Sequence, residues 1–193
     1  MELRDCVKNS KAFAALKEVY DNREKEALKW KNSGRKVIGI FGYDVPEEIL
    51  IAAGFLPIHV YGGKNLDLSV ADRYLEYSFD PMLRAQFEKL VDGTYFKLMD
   101  YVAISHSSDA LVRAFYYLRM IRQVEPEMPV PPIYFVDQFF LRTNTNQMKN
   151  WSRFEDFRRT VEVWACKEIP NEEIWKACEL CNEDRKLMRQ FSE

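Results

Sequence analysis

Four short apolar runs separated by helical stretches constrain the fold of this chain more than any other feature. The runs cover residues 36–41, 56–61, 101–104 and 133–136. Each is a continuous apolar segment with the length of a β-strand that is buried on both faces. Strands that alternate with helices imply right-handed crossover connections. The sequence therefore predicts an α/β fold with an open, mostly parallel sheet that is flanked by helices.

Helical patterns precede and follow the predicted sheet. Apolar residues recur at helical spacing from Phe13 to Trp30, which predicts one leading amphipathic helix that ends by Gly34. From Asn144 the pattern is only helical, with an interruption at Pro170. We therefore expect an N-terminal helix in residues 1–34, an α/β domain in 35–143 and a C-terminal helical extension in 144–193 that packs on it.

Composition and charge exclude several classes of protein. The chain is 47% hydrophobic and 30% charged, which excludes intrinsic disorder. Its 28 Lys and Arg face 30 Asp and Glu, so no basic excess indicates a nucleic-acid partner. No apolar stretch approaches the length of a spanning helix, and residues 1–11 lack the apolar region of a secretion signal. We expect a cytoplasmic protein without a membrane partner.

The four cysteines are expected to be reduced thiols, since no secretion signal indicates an oxidising compartment. They are Cys6, Cys166, Cys178 and Cys181. The last two form a CxxC pair, but no second pair at zinc-site spacing accompanies it. Both thiols also share a helical stripe with Ile174 and Met188. We expect Cys178 and Cys181 to be buried core residues rather than ligands of a metal or a redox pair.

Chemistry in an open parallel sheet is expected at the carboxyl ends of the strands. Tyr43 follows the first strand, and His106, Ser107 and Ser108 follow the third. The imidazole of His106 is a candidate acid or base, although a local hydrogen bond and helix capping would also account for these residues. The other histidine, His59, falls within a strand and is expected in the core. The fingerprints of nucleotide-binding loops and of a serine nucleophile are absent from the sequence.

Three segments, at residues 39–54, 80–84 and 108–113, resemble the 2-hydroxyacyl-CoA dehydratase and benzoyl-CoA reductase family, in particular the D-component of 2-hydroxyglutaryl-CoA dehydratase. Residues 39–54, GIFGYDVPEEILIAAG, are similar to the opening strand and helix of that family. Residues 80–84, DPMLR, resemble its Cys-Pro-x-x-Arg segment, and residues 108–113, SDALVR, resemble its Cys-Asp segment. The resemblance extends through residues 172–187 and corresponds to the first domain of the family. It implies a flavodoxin-like sheet.

The sequence departs from the family at the positions of two cluster ligands. Family members hold a [4Fe-4S] cluster through cysteine thiolates, and the matching positions here are Asp80 and Ser108. Carboxylate and hydroxyl oxygens are hard ligands, whereas iron–sulfur clusters are held chiefly by Cys. We therefore expect no cluster and no other metal bound by this chain. Family chains also continue into a second α/β domain, so the resemblance covers the first domain only.

The resemblance implies reduction of a CoA thioester by one electron, which an ATP-dependent activator supplies. The first hypothesis is a subunit or domain of such an anaerobic dehydratase or reductase system that works beside a cluster-bearing homologous subunit. The second is a stand-alone, non-catalytic module that binds an acyl-CoA or another small acid. The third is an independent hydrolase or lyase that uses His106 and Asp80. Whether the chain is itself an enzyme stays open at this point.

The expected site gathers five residues at the carboxyl edge of the sheet, namely Tyr43, Asp80, His106, Ser107 and Ser108. A neutral carbonyl, such as that of a thioester, is the expected ligand because Asp80 would oppose an anion. In the alternative, Asp80 and Ser108 only cap helices and side chains fill the cavity.

The aromatic residues of the C-terminal helices bear on association. They include Trp151, Phe154, Phe157, Trp164 and Trp175. Since monomers seldom expose large apolar patches, this surface predicts a homodimer or a contact with a partner subunit.

Overall fold

Four parallel strands form the sheet. The computed structural model describes residues 10–63 and 66–192. Its strands are β1 (Val37–Phe41), β2 (Leu56–His59), β3 (Tyr101–Ser105) and β4 (Ile133–Val136), in the order β2-β1-β3-β4. Gly39 of β1 lies opposite Ile58 of β2 on one side and Val102 of β3 on the other. This is the order of the first four strands of a flavodoxin-like sheet, so the predicted fold class is confirmed.

Eight α-helices and one short 3-10 turn surround the sheet in the part of the chain that is described. The helices are α1 (Lys11–Asp21), α2 (Arg23–Asn32), α3 (Glu47–Ala52), α4 (Pro81–Val91), α5 (Thr94–Leu98), α6 (Asp109–Val124), α7 (Asn144–Ala165) and α8 (Asn171–Ser192). The 3-10 turn covers Ala71–Arg73. Neither this turn nor α5 was predicted, because both are too short to show a periodic apolar pattern.

The leading segment is two helices, so the prediction of one continuous helix was wrong. Asn22 separates α1 from α2 with φ −117° and ψ 18°, which lies outside the helical region. The backbone N–H and the side-chain Nδ2 of Asn22 both donate to the carbonyl of Glu18. The side chain of Asn22 thus competes with its own backbone N–H for the carbonyl of Glu18, as is typical of asparagine.

Each face of the sheet carries its own apolar core. On one face, α4 and α6 pack Phe87 and Leu118 against Val102 and Ile104. On the other face, Phe157 and Val161 of α7 pack with Ile38 and Ile40 of β1, and residues of α3 and α8 complete this core. All five residues of β1 are buried, which explains why this strand is a continuous apolar run.

The C-terminal helices are part of the second core rather than a separate body. The rings of Tyr101 on β3 and Trp164 on α7 stack with 4.3 Å between their centroids. Lys36, just before β1, donates through Nζ to the carbonyl of Trp164 at 2.6 Å. These contacts connect the end of α7 to the amino-terminal edge of the sheet, opposite to the edge where the candidate site lies.

The cysteine pair is only half-buried, so its predicted place in the core was wrong. Cys178 and Cys181 keep part of their surface exposed, and Cys166 is exposed. Ala177 takes the core position on α8 instead. The reason is the difference in length between α8 and the helix that it packs on. With six residues, α3 covers only a short part of the 22-residue α8. Cys6 lies outside the described residues.

Within residues 10–63 and 66–192, no helix combines the length and the apolar character that a membrane span requires.

Candidate functional site

The crevice of this sheet lies between β1 and β3. The chain leaves β1 toward β2 on one side and later returns to β3 on the other, so the strand order reverses at this point. In open α/β sheets, ligands bind beyond the carboxyl ends of the strands where the order reverses. Gly42 follows β1 with φ 112°, and a Cβ atom there would collide with Oγ of Ser105 at the end of β3. Glycine therefore allows the two loops to approach closely.

A cleft of about 360 Å³ opens at this position and is here called the switch-point cleft. Its polar lining residues are Tyr43, His59, Asp80, Gln86 and Ser108. Its walls are apolar, with Met82 and Leu83 from α4 and Leu111 from α6. An open cleft is therefore present beside these side chains. The structure brings three of the five predicted site residues together in this cleft: Tyr43, Asp80 and Ser108.

Asp80 and Ser108 cap the two helices whose N-termini face the cleft. Oδ1 of Asp80 accepts hydrogen bonds from the backbone N–H groups of Met82, at 2.9 Å, and Leu83, at 3.2 Å. Oγ of Ser108 accepts one from the backbone N–H of Leu111 at 3.3 Å. Capping of this kind satisfies donors that a helix leaves unpaired at its start. Both side chains therefore serve the fold as well as the lining of the cleft.

His106 and Ser107 lie at the carboxyl edge but do not line the switch-point cleft. Nδ1 of His106 lies 2.8 Å from Oδ1 of Asp137, which follows β4 directly. Oγ of Ser107 is 2.9 Å from Oγ of Ser105. The structure thus pairs His106 with Asp137 rather than with Asp80. The third hypothesis, which needs His106 and Asp80 to act together, finds no support in this geometry.

His59 is an exposed residue of the cleft, so its predicted place in the core was wrong. It is the last residue of β2, and its Nε2 lies 3.0 Å from Oε1 of Glu47 in the first turn of α3. The hydrogen bond to Glu47 raises the pKa of His59 above its ordinary value, and the carbonyl of Gly42 adds to this effect. The sequence carried a signal for this pairing that was missed, namely the acidic first turn of α3, Glu47 and Glu48. A carboxylate close to an imidazole favours its protonated form.

The family model described as "2-hydroxyglutaryl-CoA dehydratase, D-component" matches residues 43–193. This match covers most of the chain and includes all five predicted site residues. The chain belongs to this family. The resemblance inferred from the sequence is thereby confirmed.

Two curated proteins that are similar to this chain are dehydratase beta subunits. The (R)-phenyllactyl-CoA dehydratase beta subunit of Clostridium sporogenes is 24% identical over 193 aligned residues, which cover 95% of this chain and 48% of the relative. The (R)-2-hydroxyglutaryl-CoA dehydratase subunit beta of Acidaminococcus fermentans is 25% identical over 163 residues, which cover 84% of this chain and 42% of the relative. The chain thus spans about half the length of the curated relatives it matches.

The iron–sulfur cluster that the resemblance implies does not fit the donors of the switch-point cleft. Asp80 and Ser108 offer oxygen atoms, and each already accepts backbone hydrogen bonds. No group of three or more His, Cys, Asp or Glu side chains within the described residues is arranged to hold a metal ion. The thiols of Cys166, Cys178 and Cys181 lie on or beside α7 and α8, and none of them lines the cleft. A soft thiolate set is what such a cluster requires.

Proposed function

We propose that this chain is a subunit or domain of a 2-hydroxyacyl-CoA dehydratase or benzoyl-CoA reductase-type system and binds a CoA thioester without holding a cluster of its own. The observation that carries the proposal is the open switch-point cleft, in which Asp80 and Ser108 cap the helices that face it. The donor atoms of the cleft suit an organic ligand better than a cluster.

The lining of the cleft favours a neutral carbonyl group. Met82, Leu83 and Leu111 provide apolar walls, and the hydroxyl of Ser108 provides a hydrogen-bond donor. The carboxylate of Asp80 would repel an anion. A volume of about 360 Å³ is near the lower end for small-molecule sites, so the cleft suits the acyl and thioester end of the ligand rather than the whole of CoA. The phosphates would stay in solvent.

The partner in this proposal is a cluster-bearing homologous subunit. Both curated relatives are named as beta subunits, a term that implies at least one other subunit in each of those proteins. Electron transfer would belong to the partner and its ATP-dependent activator, in the cytoplasm of an anaerobically growing cell. A homodimer is the other assembly that we propose. In either assembly this chain contributes the surface that holds the thioester.

A stand-alone module that binds an acyl-CoA without catalysis is the second candidate. It is favoured by the same cleft, which is open and yet offers no redox ligand among its lining residues. The two candidates differ in what surrounds the gene. A neighbouring cysteine-bearing homologue and an activator ATPase support the subunit, and isolation of the gene supports the module.

Binding of acyl-CoA thioesters tests the proposal directly. Calorimetric titration of the wild type should give saturable heat, and Ser108→Ala should weaken binding by roughly five- to tenfold through the loss of one hydrogen bond. Thr143→Ala is a matched control, since Thr143 caps α7 in the same way but does not line the cleft. The absence of heat with every thioester, or equal weakening in both variants, would contradict the proposal.

Metal analysis tests the absence of a cluster. Protein purified without oxygen should contain no stoichiometric iron or acid-labile sulfide, because oxygen donors replace thiolates at residues 80 and 108. The double variant Asp80→Cys with Ser108→Cys is the comparison for the wild type, because it restores the two thiolates of the family pattern. A brown wild-type sample with stoichiometric iron would show that other residues, including the cysteines, serve as ligands.

A further inference from the structure

His106 and Asp137 form a second polar centre at the carboxyl edge, outside the switch-point cleft. The backbone N–H of His106 donates to the carbonyl of Val136 at 3.2 Å, which holds the residue at the tip of β4. Its Nδ1 lies 2.8 Å from Oδ1 of Asp137. The other carboxylate oxygen of Asp137 is 3.9 Å from Nε of Arg153 on α7. Asp137 therefore lies between an imidazole and a guanidinium group.

This arrangement selects one tautomer of the neutral imidazole. An ionised carboxylate can only accept hydrogen bonds, so Nδ1 of His106 carries the proton that it donates to Asp137. Nε2 is then left with a free lone pair and acts as an acceptor. The side chain of His106 is 34% exposed, and its ring lies 5.6 Å from that of Phe135. Phe135 supports one side of the ring, while the acceptor edge can reach a ligand.

An exposed apolar loop lies beside this imidazole. Phe140 and Leu141 follow β4 and are 62% and 75% exposed, and the ring of Phe140 lies 6.5 Å from that of His106. The loop is held in place although its tip is apolar. Asn150 exchanges two hydrogen bonds with the backbone of Phe139, at 2.8 and 2.9 Å, and Asn146 donates to the carbonyl of Leu141 at 3.1 Å.

We propose that His106, Phe140 and Leu141 select the acyl group of the ligand. Nε2 of His106 accepts a hydrogen bond from a hydroxyl on the acyl chain, and Phe140 with Leu141 packs against an apolar or aromatic end of that chain. The proposal rests on the proposed function for the thioester in the switch-point cleft. Only Ser107 separates His106 from Ser108, so their Cα atoms lie within about 7 Å and one acyl group can contact both regions.

The state of the imidazole is tested first, without a ligand. Long-range proton–nitrogen NMR of the wild type at neutral pH should show Nδ1 of His106 protonated and Nε2 unprotonated. Asp137→Asn should reduce this preference, because the amide can donate to Nδ1 and favour the opposite tautomer. His59 serves as an internal reference in both spectra. A protonated Nε2 in the neutral imidazole of the wild type overturns the proposal by itself.

The hydroxyl preference is tested with two thioesters that differ in one group. Wild-type protein should bind 2-hydroxy-3-phenylpropanoyl-CoA roughly five- to tenfold more tightly than 3-phenylpropanoyl-CoA, the value of one net hydrogen bond. In His106→Leu and Asp137→Asn this ratio should fall toward one. A ratio that is unchanged in both variants, with binding intact, overturns the inference and leaves the proposed function standing.

The apolar contact is tested by chain preference. Wild-type protein should prefer 2-hydroxy-3-phenylpropanoyl-CoA over lactoyl-CoA by roughly tenfold, or about 1.4 kcal/mol, through partial burial of the phenyl ring. Phe140→Ser with Leu141→Ser should abolish this preference. Phe96→Ser is the matched control, an exposed phenylalanine on α5 before β3 and thus at the opposite edge. Equal preference in all three proteins overturns the apolar contact, and no binding of any thioester overturns the proposed function as well.

Discussion

His59 joins the end of β2 to the first turn of α3 beside the switch-point cleft. Its ring is paired with Glu47 of α3, and the carbonyl of Gly42 also favours the protonated form. A protonated imidazole makes a charge-assisted hydrogen bond to the carboxylate, which is stronger than a bond from the neutral ring. The contact between β2 and α3 is therefore firmer when His59 is charged.

The pKa of His59 should depend on Glu47. In an NMR titration the pKa of wild-type His59 should lie above the ordinary value of 6.5, and Glu47→Gln should lower it. Since the folded pKa is raised, the pair stabilises the protein fully below about pH 6.5 and loses this contribution as pH rises through the folded pKa. An unchanged pKa of His59 in Glu47→Gln would contradict the assignment.

At the scale of elements, the two helices that face the cleft begin with side-chain caps. Asp80 precedes Pro81, which opens α4, and Ser108 precedes α6. Proline at the first helical position loses no intrahelical hydrogen bond, and the preceding cap accepts the next free N–H groups. The cap residues thus determine where each helix starts, and the start of each helix determines the shape of the cleft.

Replacement of the Asp80 cap should lower stability measurably. Asp80→Ala should reduce the free energy of unfolding by about 1 kcal/mol, because two N–H groups of α4 lose their acceptor. Urea denaturation should show a lower midpoint with an unchanged slope. Asp80→Ser is the control and should recover most of the loss, since its hydroxyl can also cap. Equal losses in both variants would indicate that the carboxylate stabilises the protein by another route.

At the scale of the whole molecule, aromatic side chains remain exposed on the C-terminal helices. Trp151 on α7 and Trp175 on α8 are 72% and 70% exposed, and both line an apolar groove of about 340 Å³ between these helices. Phe157 and Trp164, by contrast, pack inward. The predicted association therefore concerns the two outer tryptophans rather than the whole aromatic set.

Association should depend on these two tryptophans. Light scattering at tens of micromolar protein should show a homodimer, or a complex once a partner subunit is added, because monomers seldom expose large apolar patches. Trp151→Ser with Trp175→Ser should weaken the assembly, whereas Met120→Ser, which removes an exposed apolar side chain of α6, should not. A clean wild-type monomer that captures no cluster-bearing homologue would contradict this prediction.

Local patterns in the sequence determined the four strands, the parallel α/β class and the caps at residues 80 and 108. Continuous apolar runs and cap residues act within a few positions of the chain, so they can be interpreted without a structure. The family could also be inferred from residues 39–54. Asn22 shows the limit of this approach, because a single local hydrogen-bonding residue divided a helix whose apolar periodicity was continuous.

Only the tertiary structure decided which side chains meet. His106 pairs with Asp137 across 31 positions, and His59 reaches Glu47 from the neighbouring strand, because parallel strands bring their carboxyl ends to one edge. Cys178 and Cys181 are half-buried because the short α3 covers only part of α8. Burial and pairing depend on which element covers each face. The periodicity of one segment contains no information about the length or the position of the element that packs against it.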